Sequence, residues 1–101
     1  MKKFSMIVHS SLQQELADCL RSLKLESFMF SHIEEHSSQL KEDVFLSARD
    51  KVVGYVPKVR LDVILDNERA ATLLDEIRGA GYSIKGKGFY WIMTVDEIGE
   101  L

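Results

Sequence analysis

Apolar and polar positions alternate over Lys58–Leu65, with Val59, Leu61, Val63 and Leu65 on one side and Lys58, Arg60, Asp62 and Ile64 on the other. That period of two predicts a β-strand with one face on a core. Val56-Pro57, just ahead of it, keeps the chain out of helical geometry. A second signal has the helical period. Leu12, Leu16, Cys19, Leu20 and Leu23 recur at steps of three and four, with Gln13, Gln14, Asp18, Arg21 and Lys24 between them, which predicts an amphipathic helix with the leucines inward. Ser10 or Ser11 is positioned to cap it. Asp66 or Asn67 is placed to cap another helix, in which Ala70, Leu73, Leu74 and Ile77 face inward until Gly79 and Gly81 stop it. Short runs at Phe4–Val8, Ser27–Glu34 and Phe89–Val95 predict three further strands, the last of them apolar or aromatic on both faces.

The resulting order, β-α-β-β-α-β, is that of a ferredoxin-like α+β fold: an antiparallel sheet with two helices on one face. One domain covers residues 1–101, with a polar loop at about 35–53 between the second and third strands. A capping box at Ser47-Ala48-Arg49-Asp50 allows a helical turn inside that loop. A last strand with no polar side implies that other copies cover the open face of the sheet.

Composition narrows the function classes. Thirteen Lys+Arg against sixteen Asp+Glu give a net charge of −3, which is no electrostatic footprint for nucleic acid or for an anionic membrane. The single cysteine, Cys19, excludes a disulfide framework and fits a reducing, cytoplasmic setting. The apolar start breaks at His9-Ser10-Ser11, too early for a signal peptide, and no run reaches the roughly 18 apolar residues of a membrane span. No nucleophile triad, H-E-x-x-H or P-loop is present, so no catalytic residue is assigned and a non-enzymatic role is expected. His9, His32 and His36 with Glu34 and Glu35 supply metal-ligating atom types. Their spacing is unspecific, because His32 and His36 would stand side by side only on a helix while His32 falls in a predicted strand.

Three segments carry a family resemblance. Met1-Lys2-Lys3-Phe4-Ser5-Met6-Ile7-Val8, Gly54-Tyr55-Val56-Pro57-Lys58-Val59-Arg60-Leu61 and Gly86-Lys87-Gly88-Phe89-Tyr90-Trp91-Ile92 occur in the order and at the spacing of the PII signal-transduction proteins, which the chain resembles over nearly its whole length. It is most similar to a small PII-like family of uncharacterised function, whose members carry a Leu-Ser-led helix, here Leu46-Ser47, and a Tyr-Trp pair, here Tyr90-Trp91. The resemblance implies a homotrimer with ligand clefts between subunits, a long loop that engages a protein partner such as a transporter, and a signalling role without turnover. It places Gln39, Lys58, Gly86 and Gly88 at a small anionic or metabolite ligand, to which the charge of Lys87 would add; the residues themselves mark Val44, Phe45 and Leu46, an apolar cluster beside Val52 and Val53, as the partner-facing part of the loop.

The departures from the PII pattern are equally specific. Lys87 replaces the aspartate of the Gly-Asp-Gly turn, Phe89 replaces the phosphate-contacting lysine, and no arginine-bearing Thr-Gly-Glu segment follows the last strand. No tyrosine lies between His36 and Val53 to serve as a uridylylation target. The expectation is therefore weak or no binding of adenine nucleotide, with a divalent metal as the alternative ligand. Two other classes remain: a CutA-like divalent-metal-binding protein linked to heavy-metal tolerance or efflux, with His32 and His36 as its candidate ligands, and a dimeric ferredoxin-like enzyme with an apolar cleft near Trp91.

Overall fold

The computed structural model describes residues 1–38, 54–81, 84 and 86–101. The turn predicted at Ser47, together with Gln39, Val44, Phe45 and Leu46, lies outside the described residues. Four strands, β1 (Lys2–His9), β2 (Met29–Glu35), β3 (Val56–Leu65) and β4 (Gly88–Thr94), and two helices, α1 (Gln13–Ser22) and α2 (Asn67–Gly79), appear in the predicted order among the described residues. The strands form one antiparallel sheet in the order β2-β3-β1-β4. This α+β, ferredoxin-like architecture is the one the periodicities predict, and it is the PII-like fold that the resemblance implies.

Strand alternation sorts the core. Phe4, Met6 and Val8 of β1 stand opposite Val63, Leu61 and Val59 of β3 and share one sheet face. Leu16, Cys19 and Leu20 of α1 and Leu73 and Ile77 of α2 pack onto that face as one buried cluster. Both helices therefore cover the same side, as two right-handed crossovers over one sheet require. Burial pushes the Cys19 thiol above its ordinary pKa, which keeps it a small neutral hydrophobe.

Three local details differ from the sequence expectations. Neither Ser10 nor Ser11 caps α1: a 3-10 turn, Ser10–Leu12, precedes the helix, and the His9 side chain takes the capping place, accepting from Ser11 N–H at 3.1 Å. A ring nitrogen at the strand end already points along the turn, so it reaches that N–H first. Asp66 caps α2 as expected, accepting from Arg69 N–H at 2.7 Å. Pro57 lies inside β3, opposite Glu34, where only an end strand-bond is lost to its missing N–H. Leu74 is half-buried, while Ala70, Leu73 and Ile77 are buried as predicted.

The end of α1 uses an uncommon residue. Lys24 has φ 64°, and around it Leu25 N–H donates to the Leu20 carbonyl at 3.3 Å, the long bond of a Schellman ending. A side chain is strained in this left-handed conformation and glycine is not. Lys24→Gly is therefore expected to stabilise the protein by about 0.5–1 kcal/mol, read as a higher urea midpoint at unchanged slope. A lower midpoint would show that the Lys24 side chain supplies more than the turn costs.

Candidate functional site

The register brings several sequence-selected residues to one end of the sheet. Lys58 opposes His9 across β3 and β1, and Gly88 opposes Val8 across β1 and β4. On the other side of β3, Ile33 opposes Lys58 and Glu35 opposes Val56. The Gly86-Lys87-Gly88 turn, Lys58 and the root of the 36–55 connection thus share one end of the sheet, although they come from three separate segments. Gln39 and the Val44-Phe45-Leu46 cluster, which belong to the same connection, lie outside the described residues.

Lys58 is largely covered, its side chain 17% exposed, and Nζ lies 3.4 Å from Glu35 Oε1. The ammonium is thus held in place on the face away from the helices, with part of its charge already balanced. At the loop root, His36 Nε2 lies 3.1 Å from Glu34 Oε1, and its ring packs 5.8 Å from that of Tyr55. These contacts join the two strands from which the connection leaves and returns. His32 is exposed on β2, opposite Val59. Among the described residues no three His, Cys, Asp or Glu side chains converge as metal ligands would, so the structure does not bring His32 and His36 into a cluster of that size.

Each glycine of the turn has a separate structural cause. Gly86 has φ +75°, with open space where a Cβ would stand. Gly88 is limited by its neighbour, because a Cβ there would fall closer than 3.0 Å to the Ile7 carbonyl oxygen. Lys87 N–H donates to the Ile84 carbonyl at 3.0 Å, so that backbone donor is committed to the turn. The Lys87 side chain is exposed and presents its charge to solvent at the same end of the sheet.

The open sheet face carries a feature that the sequence reading treated only as polar alternation. Ser5 is fully buried and Asp62 nearly so, although neither lies beneath a helix. Ser5 Oγ donates to Asp62 Oδ1 at 2.6 Å, Arg60 Nε donates to Asp62 Oδ2 at 2.9 Å, and Lys3 Nζ stands 4.0 Å from the same carboxylate. Burial alone would raise the Asp62 pKa. The hydrogen bonds from Ser5 and Arg60, with the charges of Arg60 and Lys3, outweigh it and hold the carboxyl below its ordinary range. The one advance signal was Ser5 itself, a hydroxyl within an otherwise apolar run.

Around this cluster the face is apolar. Phe89, Trp91 and Met93 of β4 stand opposite Ile7, Ser5 and Lys3, with the Phe89 and Trp91 rings 5.9 Å apart. β4 is an edge strand, so its other side is also poorly covered: Tyr90 is 47% and Ile92 42% exposed. No helix among the described residues is long and apolar enough to cross a membrane.

This geometry accords with what the chain is similar to. It is 24% identical over 99 residues to the nitrogen regulatory protein P-II of Rhizobium meliloti (strain 1021), an alignment spanning 97% of this chain and 88% of that protein. Residues 2–101 match the family described as "Protein of unknown function (DUF3240)", and with that match running the length of the described fold, the chain belongs to this PII-like family.

Proposed function

We infer that the protein is a PII-like regulatory subunit that works as a homotrimer, binds a small anionic or metabolite ligand, and acts on a partner protein through the 35–53 loop. The observation that carries this reading is the meeting, at one sheet end, of Lys58, the Gly86-Lys87-Gly88 turn and the root of that loop. A ligand held there touches the base of the segment that would signal its presence, and can bias that segment only as far as it prefers one loop state over another. Lys58 and Lys87 supply positive charge, Gln39 completes the ligand set from the loop, and Val44, Phe45 and Leu46 form the partner contact. The role is regulatory rather than catalytic. The apolar stripe Phe89-Trp91-Met93 supports the trimer, since burying such side chains contributes on the order of 2 kcal/mol each.

The test is a thermal melt of wild type and Lys58→Ala against nucleotides, carboxylate metabolites, phosphate and divalent metals, with the mass measured by light scattering. A trimer is expected. An anionic metabolite at a hundred times its Kd is expected to stabilise the wild type by about 2.7 kcal/mol, and Lys58→Ala is expected to lose most of that shift. The variant itself should fold, because its partner Glu35 is 40% exposed and can rehydrate. Adenine nucleotide is expected to give little shift, since Phe89 stands where the PII pattern has a phosphate-contacting lysine, a contact worth roughly 1.5–3 kcal/mol. A monomeric mass, or a shift by divalent metal alone that survives Lys58→Ala, would overturn this reading; the second result is the signature of a CutA-like metal protein.

A further inference from the structure

β4 is an unguarded edge. Among the described residues it pairs only with β1, and its seven residues, Gly88–Thr94, contain no charge and no proline. Its register with β1 runs without a bulge. Phe89, Tyr90, Ile92 and Met93 are all exposed. An edge with free N–H and C=O groups and apolar side chains on both faces recruits another strand, which is why lysine, proline or a bulge usually blocks one. β2 is the opposite edge of the same sheet, also seven residues long, and pairs only with β3 among the described residues.

The two edges match in direction. β2 runs antiparallel to β3, β3 to β1 and β1 to β4, so β2 and β4 run in opposite senses. A second copy set beyond β2, with its sheet continuing the first, therefore brings its β4 alongside as an antiparallel neighbour. The edges match in face as well. Met29 opposes Asp62, Asp62 opposes Ser5, and Ser5 opposes Trp91, which places the odd-numbered residues of both strands on the open face. Setting odd against odd keeps both faces continuous, whereas a slip of one residue would turn every side chain to the wrong side.

We propose that β2 of one copy pairs with β4 of a second. On the open face Met29, Ser31 and Ile33 stand opposite the second copy's Met93, Trp91 and Phe89; on the helix side Phe30 and His32 stand opposite its Ile92 and Tyr90. The pairing rests on the assembly of copies inferred above and names the strands that make it. Charge selects the register. Glu35, with its side chain 40% exposed, falls opposite the second copy's exposed Lys87, a favourable cross-strand pair. Moved by two residues one way, β4 would set its Phe89 and Tyr90 against Glu35 and Glu34. Moved by two the other way, it would set Lys87 against Ile33 and leave Met93 beyond the start of β2. Each copy has one β2 edge and one β4 edge, so head-to-tail pairing uses both and closes as a ring. A two-fold pair of β4 strands would leave every β2 edge open.

The experiment is disulfide trapping. Opposed residues of an antiparallel pair have Cα atoms about 4.5–5.5 Å apart, within disulfide reach, whereas diagonal neighbours are roughly 7–8 Å apart. The variant Met29→Cys/Met93→Cys is oxidised under native conditions and run without reductant, beside Met29→Cys, Met93→Cys and Trp91→Cys alone and the shifted pair Met29→Cys/Trp91→Cys. Met29 and Met93 are exposed and the native Cys19 is buried, so the main variant is expected to fold, with its reactive thiols at the new positions. Covalent dimers and trimers are expected from Met29→Cys/Met93→Cys, and monomers from the others. Equal cross-linking of the shifted pair would overturn the register, and cross-linking of Trp91→Cys or Met93→Cys alone would show a two-fold β4 pair instead. Light scattering of the reduced variants separates this pairing from the regulatory reading. A trimeric mass without cross-linking would overturn the pairing and leave the regulatory trimer standing; a monomeric wild type would remove both.

Discussion

Gly88→Ala is expected to destabilise the protein by about 3 kcal/mol, among the larger effects of a single methyl group. The added Cβ would lie closer than 3.0 Å to the Ile7 carbonyl oxygen and 3.1 Å from Val8 Cγ1. The Ile7 carbonyl belongs to β1, which is hydrogen-bonded on both sides, to β3 and to β4, so it cannot move aside as a flexible side chain could. The strain must be relieved by β4, and as an edge strand it can yield only by giving up pairing at the Val8–Gly88 end. For a domain of this size the loss corresponds to a Tm lower by about 12–24 °C. Gly86→Ala is the control, because open space surrounds that position and only its φ of +75° opposes the substitution; its cost is expected near 1 kcal/mol. Equal, small losses in the two variants would show that β4 accommodates the methyl group and that Gly88 is ordinary turn chemistry.

The second large effect concerns the polar cluster on the open face. Asp62→Ala is expected to cost about 2–3 kcal/mol, because it leaves the fully buried Ser5 hydroxyl without its 2.6 Å acceptor and removes the carboxylate shared by Arg60 and Lys3. Asp62→Asn is expected to cost less, since an amide oxygen can still accept from Ser5. The pH dependence distinguishes the charge from the hydrogen bond. The Asp62 pKa is lowered in the folded state relative to an unfolded value of about 3.9. Its charge therefore contributes fully above that unfolded value, and the contribution is lost as pH falls through the lower, folded one. The stability difference between wild type and Asp62→Asn, read from urea midpoints, should be constant from pH 7 to about pH 5 and shrink on acidification below the unfolded pKa. A difference that persists unchanged into strong acid would mean that the carboxylate charge contributes nothing and that shape alone sets the cost.

Both effects show where a linear reading stops. Helix faces and strand alternation were legible because each is a property of neighbours along the chain: Leu16, Cys19 and Leu20 announce a buried side, Asp66 announces a helix start, and Val59, Leu61 and Val63 announce an inward strand face. The glycine pair was legible as a turn, and Lys58 as a polar strand position. Three separate segments, Met1–Val8, Gly54–Leu61 and Gly86–Ile92, also made the PII resemblance visible. The site was only partly legible. That Lys58, His9 and Gly88 lie at one sheet end follows from the pairing of β1 with both β3 and β4, and a pairing register cannot be read from either strand alone.

The sequence by itself therefore determined the order and type of the elements, the apolar side of each, and the absence of any polar side on the last strand. Those are consequences of side-chain chemistry repeated at a period of 3.6 or 2. The tertiary structure decided who stands beside whom. It put β4 at an edge, so that its two apolar sides are both exposed. It placed Ser5 against Asp62, 57 residues apart, in a dry pair on an otherwise open face. It also made Gly88 obligatory through a carbonyl of β1. The physical reason is that these contacts join segments distant in the chain, and their geometry is set by packing helices and strands together at once rather than by any local preference.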